Sequence, residues 1–153
     1  MSQPGHNLYL RFLEQATEHP RRKALLFESN TWRYADVRRL IHAQATQLRT
    51  AGLKPGQRAA ILLKNSPAYV FNLFAIWACG AAAVPINHFL KSAEIDFILK
   101  DGGATLLITD SEFRETTDAL AAPARKFYID QLPEEGERVF SVDVRNDPNE
   151  LAV

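Results

Sequence analysis

Short apolar runs and amphipathic stretches take turns along this chain, each set off by Gly, Pro, Asn or Ser, and that alternation is what most constrains its fold. Strands that alternate with helices close into a largely parallel sheet, because each helix carries the chain back to start the next strand in the same direction. The expected class is therefore α/β, a largely parallel sheet with helices on both faces. Ligands of such sheets bind beyond the C-terminal ends of the strands, where the strand order reverses. That locates a site without naming its chemistry.

The individual signals are local. Asn7 is placed to cap a first helix whose Leu8, Phe12, Leu13 and Ala16 share one face, and His19-Pro20 ends it. Residues 24–28 and 31–34 read as two strands of a hairpin with its turn at Ser29-Asn30. The helix expected over 35–50 carries a stripe of Val37, Leu40, Ile41, Ala45 and Leu48, and Gly52 stops it. The turn Lys54-Pro55-Gly56 leads to a strand at 58–63. Ser66-Pro67 supplies a capping hydroxyl followed by proline at the first helical position, and the helix to residue 78 is apolar nearly all round.

A small-residue strand at 82–86 stops at Asn87-His88, and a helix at 92–100 turns Ile95, Ile98 and Leu99 inward before Gly102-Gly103. The run 104–109 has the uninterrupted apolar character of a strand buried on both faces. A weaker helix at 112–121 and strands at 127–129 and 139–144 complete the pattern, the last two separated by the acidic loop 133–137.

Several function classes lose support here. Eighteen Lys plus Arg balance eighteen Asp plus Glu, so no electrostatic footprint points to nucleic acid or an anionic membrane. Cys79 is the sole cysteine and lies in an apolar run, which fits an inert buried thiol in a reducing, cytoplasmic compartment and rules out a disulfide within the chain. No secretory signal is visible at Met1–Asn7 and no transmembrane segment is expected. His6, His19, His42 and His88 lack metal-ligand spacing, and no metal site is expected. Gly102-Gly103 follows a helix and precedes a strand, the reverse of a phosphate-cradling turn. Ser66 reads as a helix cap rather than a nucleophile. The cluster Tyr69, Phe71, Phe74 and Trp77 has two readings: core packing of a buried helix, or the wall of an apolar substrate tunnel in a larger enzyme.

Three blocks together resemble the N-terminal region of the adenylate-forming superfamily, which includes acyl- and aryl-CoA synthetases, peptide-synthetase adenylation domains and luciferases. Thr31-Trp32-Arg33-Tyr34-Ala35-Asp36-Val37 is similar to the family's Thr-Tyr-x-Glu-Leu segment opening a helix. The stretch from Gly52 through Lys54-Pro55-Gly56-Gln57-Arg58 to Lys64-Asn65-Ser66-Pro67 resembles its strand leading into Asn-Ser-Pro and a long apolar helix. Trp77-Ala78-Cys79-Gly80, Val84-Pro85-Ile86-Asn87 and Ile98-Leu99-Lys100-Asp101-Gly102-Gly103-Ala104 are similar to its Lys-Ala-Gly and Val-Pro-Leu-Asn blocks with the helix and strand that follow. Order and spacing match as well, and the resemblance covers nearly the whole chain.

The resemblance implies residues 1–153 as a single α/β subdomain, the partial N-terminal subdomain of an acyl-CoA synthetase-like fold, ending before the Ser/Thr/Gly-rich loop that holds the ATP phosphates. It implies a parent that uses ATP, Mg²⁺ and CoA to convert a carboxylic acid, by general texture a fatty acid, to an acyl-adenylate and then a thioester. The chain itself is expected to hold no catalytic residue, to bind none of these cofactors well, and to pack against the remainder of the parent or dimerise through exposed apolar surface. Relatives that ligate CoA often carry Asn-Pro-Arg after the Val-Pro strand, with the arginine reaching a CoA phosphate. This sequence has Asn87-His88-Phe89 there, leaving His88 and Lys91 as candidate CoA-rim residues. The competing readings are a stand-alone, non-catalytic binding or oligomerisation module and a fragment of an adenylation domain that loads a carrier protein.

Overall fold

Asn7 caps the first helix as its sequence position predicts: its side-chain oxygen accepts the Tyr9 N–H at 2.9 Å. The structure is a computed structural model that describes residues 7–131 of the 153. Helix α1 (Leu8–Glu18) is followed by an antiparallel hairpin of β1 (Lys23–Phe27) and β2 (Asn30–Arg33). The hairpin turn is Glu28-Ser29, one residue earlier than expected, because Phe27 pairs with Asn30. Glu28 adopts φ 52° there. Turn statistics reserve that left-handed region for Gly and Asn, so they pointed past it.

Helix α2 (Tyr34–Thr50) buries Val37, Ile41, Ala45 and Leu48, the expected stripe. Its end shows why Gly52 is needed. The Gly52 N–H donates to Arg49 O and the Leu53 N–H to Leu48 O, a closure that places Gly52 at φ 91°. Strand β3 (Arg58–Ile61) and helix α3 (Pro67–Ala78) follow, the latter capped by Ser66, whose Oγ accepts the Tyr69 N–H at 3.2 Å. Next come β4 (Ala82–Pro85), α4 (Ser92–Asp101) and β5 (Leu106–Thr109). A 3-10 turn (Ser111–Phe113), the short α5 (Arg114–Asp118), β6 (Arg125–Tyr128) and a second 3-10 turn (Ile129–Gln131) complete the described part.

The four strands of the main sheet are all parallel, in the order β4-β3-β5-β6. Alternate residues of the central strands divide the interior into two cores, as the two-residue period of a strand requires. Ala59, Ile61, Leu106 and Ile108 face the larger core, which α1, α2 and α3 cover. Ala60, Leu62 and Leu107 face a smaller core shared with Ile95 and Leu99 of α4 and with Phe113. The fold is thus α/β with helices on both faces, as expected.

The bounds differ from expectation where long-range pairing decides them. β5 begins at Leu106 rather than residue 104, because the Ala104 N–H closes α4 by donating to Leu99 O. β3 ends at Ile61 instead of 63, although the Leu62 N–H still donates to Ile108 O at 2.8 Å. The weak helix shrinks from 112–121 to α5, and the strand expected at 127–129 becomes β6, starting at Arg125. Register with the apolar β5 pairs Leu106 with Arg125, so the backbone of two exposed charged residues, Arg125 and Lys126, enters the sheet. The expected loop 133–137 and strand 139–144 lie outside the described residues.

Of the aromatic cluster, Phe71, Phe74 and Trp77 pack as core. Phe74 lies 5.3 Å from Phe12 and 5.1 Å from Trp77, and Phe71 lies 6.1 Å from Trp32, measured between ring centroids. These rings dock α3 on α1 and on the hairpin.

Candidate functional site

All four parallel strands end at one edge of the sheet, so the loops leaving them gather there. The loop after β3 leads to α3 over the larger core, whereas those after β4 and β5 lead to α4 and α5 over the smaller one. Neighbouring strands whose loops leave in opposite directions open a crevice between them. In this chain the strand order reverses between β3 and β5, and a Lys64–Glu112 ion pair joins the loops that follow those two strands. Both side chains are about half exposed, so the pair contributes little to stability but fixes the two loops relative to one another.

Beside it, the Asp130 carboxylate accepts the Ser111 N–H at 3.0 and 3.1 Å, and the Ser111 hydroxyl also donates to it. The Ser111 hydroxyl bond, together with its N–H, holds the Asp130 carboxyl below the usual carboxylate range. Asp110 moves the other way. Burial raises it, with Glu112 and Asp130 adding to the rise, while its side chain accepts the Glu112 N–H at 3.1 Å. Arg114 lies over the Tyr128 ring, 4.1 Å from its centroid, and the Tyr128 hydroxyl is 2.8 Å from that of Thr117. Thr109, fully buried at the end of β5, has an Oγ1 without a hydrogen-bond partner among the described residues.

The two sequence candidates sit on the connection from β4 to α4. His88 is half-buried, with its ring 4.1 Å from Phe89 and 6.3 Å from Phe113. Lys91 is exposed at the start of α4, where its backbone N–H donates to Glu94 Oε2 at 2.8 Å. The Glu94 carboxylate therefore occupies part of the positive end of α4 that an anion would otherwise use. Reading the sequence alone missed Lys64, Glu112 and Asp130. Their signal was positional: each follows a strand end closely.

The cofactors implied for an acyl-activating enzyme fit this edge unevenly. The described residues contain no cluster of three or more His, Cys, Asp or Glu able to hold a metal ion. Nor does a glycine-rich turn, the usual cradle for a nucleotide's phosphates, lead from a strand into a helix among them. His88 and Lys91 bring an imidazole and an ammonium group, both of kinds that can bond a phosphate, to the β4–α4 connection. Away from the edge, Cys79 is buried with its thiol donating to Ala45 O at 3.5 Å, and burial pushes it up to about 11, so it is no nucleophile. No helix among the described residues is long and apolar enough to cross a membrane.

Comparison with known proteins places this geometry. Residues 12–152 match the family model described as "AMP-binding enzyme". Feruloyl-CoA synthase of an Amycolatopsis species is 40% identical over 110 residues, covering 72% of this chain and 22% of that enzyme. A fatty acid–[acyl-carrier-protein] ligase, ScoC of Streptomyces coeruleorubidus, is 34% identical over 76% of this chain and 24% of its own length. The chain thus spans about a quarter or less of these curated relatives. Among solved structures, the O-succinylbenzoate coenzyme A synthetase MenE of Bacillus subtilis, in complex with AMP, superposes with a TM-score of 0.76 at 29% identity, over 87% of this chain and 34% of that one. The N-terminal domain of FACL13 from Mycobacterium tuberculosis does so with a TM-score of 0.74 over 80% of this chain and 33% of that one. By the extent of the family match and the order of its elements, the chain belongs to the AMP-binding enzyme family, to whose N-terminal region it corresponds.

Proposed function

We propose that this chain is the N-terminal portion, one α/β subdomain, of a cytoplasmic ATP-dependent acyl-CoA synthetase. In this reading the complete enzyme activates a fatty acid as its acyl-adenylate and passes the acyl group to CoA. The family match over residues 12–152 carries the proposal. ATP and Mg²⁺ are bound by parts of the enzyme beyond the described residues, and the chain alone is inactive. Its own contribution is a rigid floor, with the strand-end loops presenting His88 and Lys91 to a CoA phosphate. The remainder of the enzyme packs over exposed apolar side chains such as Phe89 and Phe97, and the isolated chain dimerises through the same surface.

The test is thioester formation by the complete enzyme with ATP, Mg²⁺ and CoA, offered medium- and long-chain fatty acids, ferulate and succinylbenzoate. Fatty acids should be preferred; preference for an aromatic acid would overturn the substrate assignment. Removing one exposed charge-assisted contact worth about 1 kcal/mol changes affinity roughly fivefold. His88→Ala and Lys91→Ala should therefore each raise KM for CoA by about that factor and leave adenylate formation unchanged. An unchanged KM removes them from the rim.

A second reading replaces CoA with a carrier protein. It is favoured by the fatty acid–[acyl-carrier-protein] ligase among the relatives and by Asn87-His88-Phe89 where CoA-ligating relatives often carry Asn-Pro-Arg. Acyl transfer to a phosphopantetheinylated carrier protein, with none to free CoA, would decide for it.

A further inference from the structure

Helix α1 lies along the groove between α2 and α3. Phe12 meets both, its ring centroid 5.7 Å from that of Tyr34 and 5.3 Å from that of Phe74. A side-chain hydrogen bond crosses this apolar seam: the hydroxyl of the fully buried Tyr9 reaches His42 Nε2 at 2.6 Å. That nitrogen is the hydroxyl's one partner among the described residues, so the hydroxyl donates and the neutral imidazole accepts. Protonation of His42 removes the acceptor. The hydroxyl can then only accept from the imidazolium, and its own proton is left buried without a partner.

The groups around the pair do not offset this loss. Arg38 and Arg49 of α2 place cationic charge near both members, which disfavours an imidazolium. Cys79 of α3 stays a neutral thiol, pushed up to about 11 by burial. Tyr9 cannot ionise to compensate, because burial pushes it up to about 12. On α1 itself, Arg11 and Glu14 are exposed and bond each other. Release of α1 leaves the rest joined. Arg49 Nη2 donates to Ala78 O at 2.6 Å and the Cys79 thiol to Ala45 O at 3.5 Å, so α2 and α3 hold each other directly. Both sheets are built without α1. We propose that the Tyr9–His42 bond is a pH-sensitive latch: when His42 takes a proton, α1 lifts from the α2–α3 groove while the main sheet and its other helices stay folded. The latch is independent of the proposed activity.

Amide hydrogen exchange on the full 153-residue chain tests it, with rates corrected for the intrinsic pH dependence of exchange. Protection of the Phe12, Leu13 and Ala16 amides should fall roughly threefold or more between about pH 7.5 and about pH 5, because each unit by which a histidine is lowered is a factor of about ten. Protection at Ile41 in α2 and Leu107 in β5 should hold. His42→Gln offers Tyr9 an amide oxygen that does not titrate, so α1 protection should become independent of pH. Tyr9→Phe lacks the hydroxyl and should lower α1 protection already at the upper end of the interval. Protection of α1 that ignores pH in the parent chain overturns the proposal. So does a pH dependence that survives His42→Gln, and so does undiminished protection in Tyr9→Phe. A fall in step at α1, α2 and β5 overturns it too, since the effect would then be global unfolding.

Discussion

The two faces of the central sheet are held in different ways. The larger face is sealed by three helices and an aromatic chain running from Phe12 through Phe74 to Trp77, and Ile41, Leu48, Ile61 and Ile76 on it are fully buried. The smaller face has one full helix and the five-residue α5, and polar contacts finish it: Asp96 holds the Ala121 and Ala122 N–H groups and Lys100, and Thr117 bonds Tyr128. Dense apolar packing tolerates no adjustment, whereas a face finished by exposed polar contacts can be re-formed against another surface. The loops at the strand ends belong mostly to the second kind. The molecule thus pairs a rigid back with an adaptable front, which suits a portion of a larger enzyme.

Truncations at matched depth test that difference most strongly. Ile76→Ala on the larger face should cost about 4–5 kcal/mol, near the upper end for buried aliphatic truncations, because its neighbours cannot collapse. Leu99→Ala on the smaller face should cost about 2–3 kcal/mol, since Val84, Leu90 and Ile98 beside it are only partly buried and have room to move. Equal losses in urea unfolding would break the comparison.

Next in size is the cap of α3. Ser66→Ala should destabilise by about 1 kcal/mol through the freed Tyr69 N–H, with Ser66→Asp retaining most of the stability. On the front, Thr109→Val keeps shape and removes a buried hydroxyl without a partner among the described residues, so the midpoint should rise by the equivalent of about 1 kcal/mol. A loss of stability there would show that the hydroxyl has found a partner.

The smallest effect is a pH dependence at the back. Tyr9, fully buried, bonds His42 Nε2 at 2.6 Å and so fastens α1 to α2. Burial lowers His42, with the nearby Arg38 and Arg49 cations adding to the drop, and burial pushes Tyr9 up to about 12. A histidine lowered on folding takes its proton more readily in the unfolded chain. Its contribution is therefore complete above about pH 6.5, the unperturbed value, and is lost as pH falls from there toward the lowered folded value. His42→Gln should flatten stability across that interval, read from urea midpoints. The same slope in the variant would assign the effect to another group.

The legible parts of the fold were those decided locally. Ser66-Pro67 announces its helix, Gly52 and Gly80 end theirs, and Leu106–Thr109 can only be an interior strand. Glu28 hid the hairpin turn because a glutamate rarely takes positive φ. Arg125 and Lys126 hid the start of β6, since their backbone is recruited by β5 from across the sheet. For the candidate site, His88 and Lys91 are singled out only through a resemblance to a family pattern. The Lys64–Glu112 pair required knowing that β3 and β5 are neighbours, which no spacing in the sequence reveals.

The proposed activation of a carboxylate through an adenylate by the complete enzyme is tested most directly by exchange of labelled pyrophosphate into ATP without CoA. Exchange should depend on a fatty acid and on Mg²⁺, with none from this chain alone. No acid-dependent exchange by the complete enzyme, across fatty and aromatic acids alike, would contradict it.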